Sequence, residues 1–100
     1  MFDIISRKSY TIQGEMAFGG LFLHLKDGVR NWNKTIYKDL VYDVGLILED
    51  AKEKGHLRVF VLVPLSDEKL IRFEKMMGFV PVGVHTTPSG DAVLLMQQET

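Results

Sequence analysis

The most continuous run of apolar residues is 57–63, LRVFVLV, in which almost every residue is branched or aromatic. Such a run is typical of a strand that is buried on both faces of a sheet. Pro64 has no N–H to donate, so the strand is expected to end there. The pattern therefore predicts a central strand followed by a loop.

Two segments beside this strand have the apolar spacing of three and four residues that is typical of helices. A long helix is predicted over 35–54, with apolar residues on one side and Asp43 among the charged residues that lie mainly on the other. A shorter helix follows Ser66 or Asp67, either of which has a side-chain oxygen suited to cap it. Gly78 can adopt the left-handed conformation that ends a helix, and an extended segment begins after it.

Extended segments are predicted at both ends of the chain. The first strand is predicted over 2–11, where apolar residues alternate loosely with polar ones. In residues 12–25, Gly19 and Gly20 separate two apolar stretches, which indicates either a hairpin or one bent strand with a bulge at the glycines. Residues 80–85 and 92–97 flank a turn rich in Pro, Ser and Gly, and they form a closing hairpin.

This order of elements favours a mixed α/β sheet with helices packed on it. A helix between two strands of one sheet favours a parallel crossover, and the hairpins at each end add antiparallel strands. The chain has 100 residues, of which 46% are hydrophobic, and this suits one compact domain over 1–100 without an internal boundary.

Composition excludes several classes of function. The 12 basic and 13 acidic residues are interspersed and give a formal net charge of −1, so a nucleic-acid partner is not expected. The absence of cysteine removes disulfides and thiolate metal sites, and the three histidines have no carboxylate pair at ligand spacing, so no metal is expected. No apolar run could cross a bilayer and no secretory signal opens the chain, which predicts a soluble cytoplasmic protein with no membrane partner.

Residues 67–79, DEKLIRFEKMMGF, resemble the last helix of the GNAT N-acetyltransferase superfamily, which typically reads Asn-x-x-Ala-x-x-Phe-Tyr-x-x-x-Gly-Phe. The residues that match are Phe73, Gly78 and Phe79, while Asp67, Leu70 and Glu74 replace the usual Asn, Ala and Tyr. The resemblance covers roughly residues 17–98. It implies a GNAT-like fold without the strand and helices that open the full fold.

The same resemblance implies a site for acetyl-CoA. In the superfamily, a loop of the form Arg/Gln-x-x-Gly-x-Gly/Ala before the long helix holds the pyrophosphate on its backbone N–H groups, where the helix dipole favours an anion. Here that register reads RNWNKT over 30–35, so Asn33 and Thr35 replace the two small residues. The implied cofactor-binding residues are Arg30, Asn33, Lys34, Thr35 and Ile36. The alternative interpretation is that Asn33 or Thr35 caps the helix.

Two residues are candidates for catalysis. Glu74 stands where the superfamily often has a tyrosine that protonates the departing thiolate, and a carboxyl group can do so at neutral pH only if burial raises its pKa. His24 is a candidate general base for an acceptor amine, or a half-exposed strand residue without a catalytic role. Trp32 either anchors a binding surface or packs over the start of the long helix.

Two functions follow from these observations. The first is an acyl-CoA-dependent N-acetyltransferase of reduced activity. The second is an inactive module that binds a protein partner, of the kind found among viral acetyltransferase-like proteins. The missing opening elements would leave apolar sheet surface without cover, which predicts a homodimer. Sedimentation of a single 11.4 kDa species would contradict that prediction.

Overall fold

The computed structural model of the protein describes residues 1–54 and 58–98. In chain order the elements are β1 (Phe2–Ser6), β2 (Thr11–Ala17), β3 (Gly20–Lys26), α1 (Lys34–Glu53), β4 (Arg58–Pro64), α2 (Glu68–Met76), β5 (Phe79–Thr86) and β6 (Ala92–Gln98). The strands form one mixed sheet in the order β1-β2-β3-β4-β6-β5. The predicted mixed α/β fold and its order of elements are confirmed, although Leu57, the first residue of the predicted central strand, lies outside the described residues.

The predicted extent of the first strand is wrong. Instead of one strand over 2–11, β1 ends at Ser6 and the chain turns, with the N–H of Arg7 donating to the carbonyl oxygen of Tyr10 at 2.8 Å. The reason is that Tyr10 is buried in the core, with 3% of its surface exposed. Holding this ring inside the molecule requires a turn where the sequence indicates an extended segment.

A tight hairpin joins β2 to β3, which decides between the two interpretations of the glycine pair. Phe18 and Gly19 both have positive φ, at 50° and 74°, and two such residues are typical of the turn that links antiparallel strands. Gly20 has a different role as the first residue of β3. A Cβ atom added there would lie 3.0 Å from the carbonyl oxygen of Arg58 and 2.8 Å from the ring of Phe60, so glycine lets β4 approach closely.

The central pair of the sheet is parallel and places both helices on one face. β4 lies between β3, to which it is parallel, and β6, to which it is antiparallel, so the predicted central strand is confirmed. Successive right-handed crossovers that move in one direction across a sheet keep their helices on the same side. Alternate residues of the two strands accordingly join α1 and α2 in one core: Leu21, Leu23, Val59, Val61, Val63, Leu40, Val44, Ile47, Leu70 and Phe73.

The opposite face of the sheet carries apolar side chains that are only partly buried. The rings of Phe22 and Phe60 stack there with their centres 4.7 Å apart, and Leu62 lies on the same face. The homodimer that would cover this surface stays a prediction. Neither α1 nor α2 is long and apolar enough to cross a membrane.

Candidate functional site

The parallel strands β3 and β4 part before either of them ends. Their last paired residues are His24 and Leu62, whereas β3 continues to Lys26 and β4 to Pro64. Beyond this point each strand stays bonded on its outer side, since Leu25 pairs with β2 and Val63 pairs with β6. The two strand ends are therefore separated by a gap in the pairing, and the carbonyl oxygen of Leu25 already accepts from the N–H of Gly28 at 3.1 Å. A ligand with amide groups of its own could bond to backbone groups that remain unpaired between the strand ends.

A small cavity of about 20 Å³ lies beside this gap and has room for about one water molecule. Its lining comes from five elements and is mostly aliphatic: Ile12, Leu23, His24, Leu25, Val44, Val61, Leu62, Val63, Leu70 and Glu74. Both residues that the sequence offers as catalytic candidates, His24 and Glu74, thus border the same cavity. Their catalytic roles stay predictions.

Glu74 presents a buried carboxyl group to this cavity. Only 3% of the residue is exposed, because Glu74 follows Leu70 and Phe73 at the spacing that turns a helix face toward the core. Its Oε2 atom is buried and has no hydrogen-bond partner among the described residues. Burial raises the pKa of Glu74 from 4.5 to about 8, since the charged form loses its hydration. A neutral carboxyl group is therefore favoured at this position.

His24 reaches the gap from the other side of the sheet. Successive side chains of a strand point to opposite faces, and Leu23 and Leu25 belong to the face that carries the helices. The imidazole of His24 therefore lies on the face of the stacked phenylalanines and is half-buried. A molecule that enters between the strands would meet His24 on one face and Glu74 on the other.

The N-terminus of α1 supplies donors and positive charge near the end of β3. Asn33 is the N-cap, and its Oδ1 atom accepts from the N–H of Ile36 at 2.9 Å, so the Ile36 amide is already engaged. The N–H groups of Lys34 and Thr35 belong to the first turn, where no helical carbonyl can accept from them. The first turn contains no acidic residue, and the side chains of Arg30 and Lys34 are exposed.

Aromatic contacts hold the loop before α1 against α2. The indole of Trp32 lies 6.2 Å from the ring of Phe73, and the ring of Tyr37 meets the same phenylalanine edge-on at 5.9 Å. The hydroxyl of Tyr37 donates to the sulfur of Met76. Trp32 thus packs against α2, and the start of α1 is held in a fixed position relative to the helix that carries Glu74.

Comparisons with known proteins were made by sequence and by structure. No protein-family model matches the sequence, and no curated protein matches it either. Several solved structures match the fold, and three of them are described here. A protein described as a GNAT-family acetyltransferase from Bordetella pertussis aligns with 90% of the chain at 18% identity and a TM-score of 0.57. The NatC complex bound to a Gag peptide and CoA aligns with 91% of the chain at 7% identity and a TM-score of 0.61.

The third structure is Naa50 from Arabidopsis thaliana in complex with the bisubstrate analogue CoA-Ac-MVNAL, with 90% of the chain aligned at 15% identity and a TM-score of 0.60. The chain has the GNAT fold. It spans 55%, 59% and 64% of the lengths of these three matched chains, so the GNAT fold is present here over part of their extent.

One polar network of this GNAT fold was not predicted from the sequence. Asp43 of α1 is 2% exposed, although the sequence places it among the solvated residues of the helix. Its carboxylate accepts from the Nε and Nη2 atoms of Arg7 and from the hydroxyl of Tyr10. These hydrogen bonds, above all that from Arg7, hold the pKa of Asp43 below its ordinary value of 3.8. The network fastens the turn between β1 and β2 to the helix that borders the gap.

Residues 1–54 and 58–98 contain no group of three or more His, Asp or Glu side chains that could hold a metal ion.

Proposed function

We propose that the protein binds acyl-CoA in the gap between β3 and β4 and transfers the acyl group to an amine. The observation that carries this proposal is the end of the parallel pairing at His24 and Leu62, where both strands continue without bonding to each other. The pantetheine arm of CoA contains two amide groups. It can add to such an exposed backbone edge as an extra strand would. The GNAT fold of the matched structures, two of which hold CoA or a CoA analogue, supports the same assignment.

The start of α1 suits the phosphate end of the same molecule. Backbone N–H groups of a first helical turn and the positive end of the helix dipole favour an anion. The donors are the amides of Lys34 and Thr35, and the exposed side chains of Arg30 and Lys34 add positive charge. Asn33 contributes indirectly, since it fixes the helix start by capping it.

His24 is the proposed general base for the acceptor amine. An imidazole can act as a general base, and His24 lies where the pairing of β3 with β4 ends, next to the gap proposed for the acyl-CoA. Its position on the open face of the sheet would allow an amine to approach the thioester from the side opposite α2. The class of acceptor proposed is thus a primary amine that reaches this face.

Calorimetric titration with acetyl-CoA tests the proposed binding site. Lys34→Ala is expected to weaken binding by about 10- to 100-fold, because a charge-assisted phosphate contact contributes roughly 1.5–3 kcal/mol. Lys52→Ala is the matched control, since Lys52 is an exposed lysine in the last turn of the same helix. It should leave the affinity unchanged. Absence of binding at millimolar acetyl-CoA, or equal losses in the two variants, would contradict the proposal.

A further inference from the structure

A row of polar side chains crosses the face of the sheet opposite the helices and ends at the gap. Asp3 of β1 is paired with Gln13 of β2, and Gln13 is paired with His24 of β3, so the three residues lie opposite one another on neighbouring strands. The next residue of the row is Leu62 of β4, where the pairing with β3 ends. Side chains of directly opposite residues share a face, with their Cβ atoms about 4.5–5.5 Å apart. Gln13 is therefore placed between Asp3 and the imidazole of His24.

The orientation of the Gln13 amide follows from its contact with Asp3. The Nε2 atom of Gln13 donates to the Oδ1 atom of Asp3 at 2.9 Å. A carboxylate can only accept hydrogen bonds, so this contact requires the NH2 group of the amide and decides which end of the amide faces β1. The carbonyl oxygen at the other end of the amide can then accept a hydrogen bond from the side of β3.

The other neighbours of His24 on this face are poorer acceptors for its ring N–H. Along β3 they are Phe22 and Lys26, and the residue opposite on β4 is a leucine. Apolar side chains offer no acceptor, and an ammonium group only donates. Thr11 and Glu15 lie diagonally across on β2, and diagonal neighbours are about 7–8 Å apart. The amide directly opposite is therefore the best placed acceptor for the imidazole.

We propose that Gln13, oriented by Asp3, is a positioning residue that fixes the tautomer of His24. An imidazole N–H that donates to the Gln13 oxygen keeps the proton on the ring nitrogen toward β2, and it leaves the lone pair on the other nitrogen, toward β4. That second nitrogen faces the strand whose pairing ends at Leu62, where the gap begins. The inference rests on the proposed acyl transfer, in which this nitrogen takes a proton from the acceptor amine.

The ¹⁵N chemical shifts of the neutral imidazole report its tautomer without any need for activity. In protein labelled with ¹⁵N-histidine, His24 is expected to have one dominant tautomer. Gln13→Met, which has a similar length and no amide, should move the ratio of tautomers to that of a free imidazole. Asp3→Ala should shift the ratio in the same direction, because the Gln13 amide loses the contact that orients it. Glu15→Ala, an exposed carboxylate on the same face, is the matched control and should leave the ratio unchanged.

A double substitution separates orientation of the ring from a general effect of altering this surface. Gln13→Glu alone places two carboxylates opposite each other, so the row should be disrupted. When it is combined with Asp3→Asn, the new amide donates to the new carboxylate, which can again accept from His24. The double variant should therefore restore the dominant tautomer. Asp3 is exposed and Gln13 is half-buried, so all these variants are expected to remain folded in urea denaturation.

Acetyl transfer to a primary amine gives the second measurement. Gln13→Met should lower kcat by about 10- to 100-fold, the usual loss when a residue that orients an imidazole is removed. Its affinity for acetyl-CoA should be unchanged by calorimetry, and the double variant should recover most of kcat.

Three results would overturn the inference: an unchanged tautomer ratio in Gln13→Met, a shift of that ratio in Glu15→Ala, or a shifted ratio in Gln13→Met with unchanged kcat. Each of these leaves the proposed function standing as long as the wild type binds acetyl-CoA and transfers the acetyl group. A wild type that does not bind acetyl-CoA refutes the proposed function, and the role of Gln13 in acyl transfer is refuted with it.

Discussion

Replacing Asp43 with alanine is expected to lower the free energy of unfolding by about 1–3 kcal/mol, the usual cost of leaving a buried polar group without its hydrogen-bond partner. The carboxylate of Asp43 accepts three hydrogen bonds, two from Arg7 and one from Tyr10. Its loss leaves the hydroxyl of Tyr10 buried without an acceptor and releases Arg7. Because the free energy of unfolding of a small domain is only about 5–15 kcal/mol, this loss should be measurable by urea denaturation at pH 7.

Asp50→Ala is the matched control on the same helix. Asp50 forms an exposed ion pair with Lys54 at 3.0 Å, and such a pair one turn apart contributes about 0.3–0.5 kcal/mol. The pKa of Asp43 lies below 3.8, so its stabilising effect is complete above that value and is lost as the pH falls through the lowered pKa. The difference in free energy of unfolding between the wild type and Asp43→Ala should therefore become smaller at acidic pH. A difference below about 1 kcal/mol at pH 7 would contradict the network's structural role.

Glu74 is expected to make the stability of the protein depend on pH in the opposite direction. Its pKa is about 8 in the folded state against 4.5 ordinarily, so the folded protein keeps a proton that the unfolded chain releases between these values. The stabilising effect of this proton is full below pH 4.5 and is lost as the pH rises through about 8. Between pH 4.5 and pH 7, an interval of about 2.5 units, the free energy of unfolding of the wild type should fall by about 3 kcal/mol relative to that of Glu74→Gln.

Denaturation of both proteins at pH 4.5 and pH 7 measures this difference directly. Glu74→Gln should be more stable than the wild type at pH 7 and of similar stability at pH 4.5, because glutamine has the same shape and does not ionise. Glu49→Gln, at an exposed position, should follow the wild type at both values. Parallel curves for the wild type and Glu74→Gln would show that Glu74 ionises freely in the folded protein.

Local patterns in the sequence were sufficient to predict most of the fold. The central strand and the long helix follow from apolar residues close together in the chain, and the crossover follows from their order. The turn at residues 7–10 was missed because the partner that holds Tyr10 is Asp43, which is 33 residues away. Only tertiary structure brings these two residues together.

The burial of two acids was harder to predict, because charged residues are usually exposed. A signal was nevertheless present. Asp43 lies three residues after Leu40, and Glu74 lies four residues after Leu70, so each acid falls on the buried stripe of its helix. No comparable pattern in the sequence predicts the gap between β3 and β4. The end of backbone pairing at His24 and Leu62 depends on how the two strands diverge.

The most direct test of the central claim is a titration of ¹⁵N-labelled protein with acetyl-CoA, followed by amide chemical shifts. If the gap and the start of α1 hold the cofactor, the largest changes should occur at the amides of Leu25, Lys34, Thr35 and Val63. Another apolar groove, lined by residues that include Ile4, Met16 and Leu46, provides the contrast. Changes confined to that groove, or no changes at millimolar acetyl-CoA, would contradict the account.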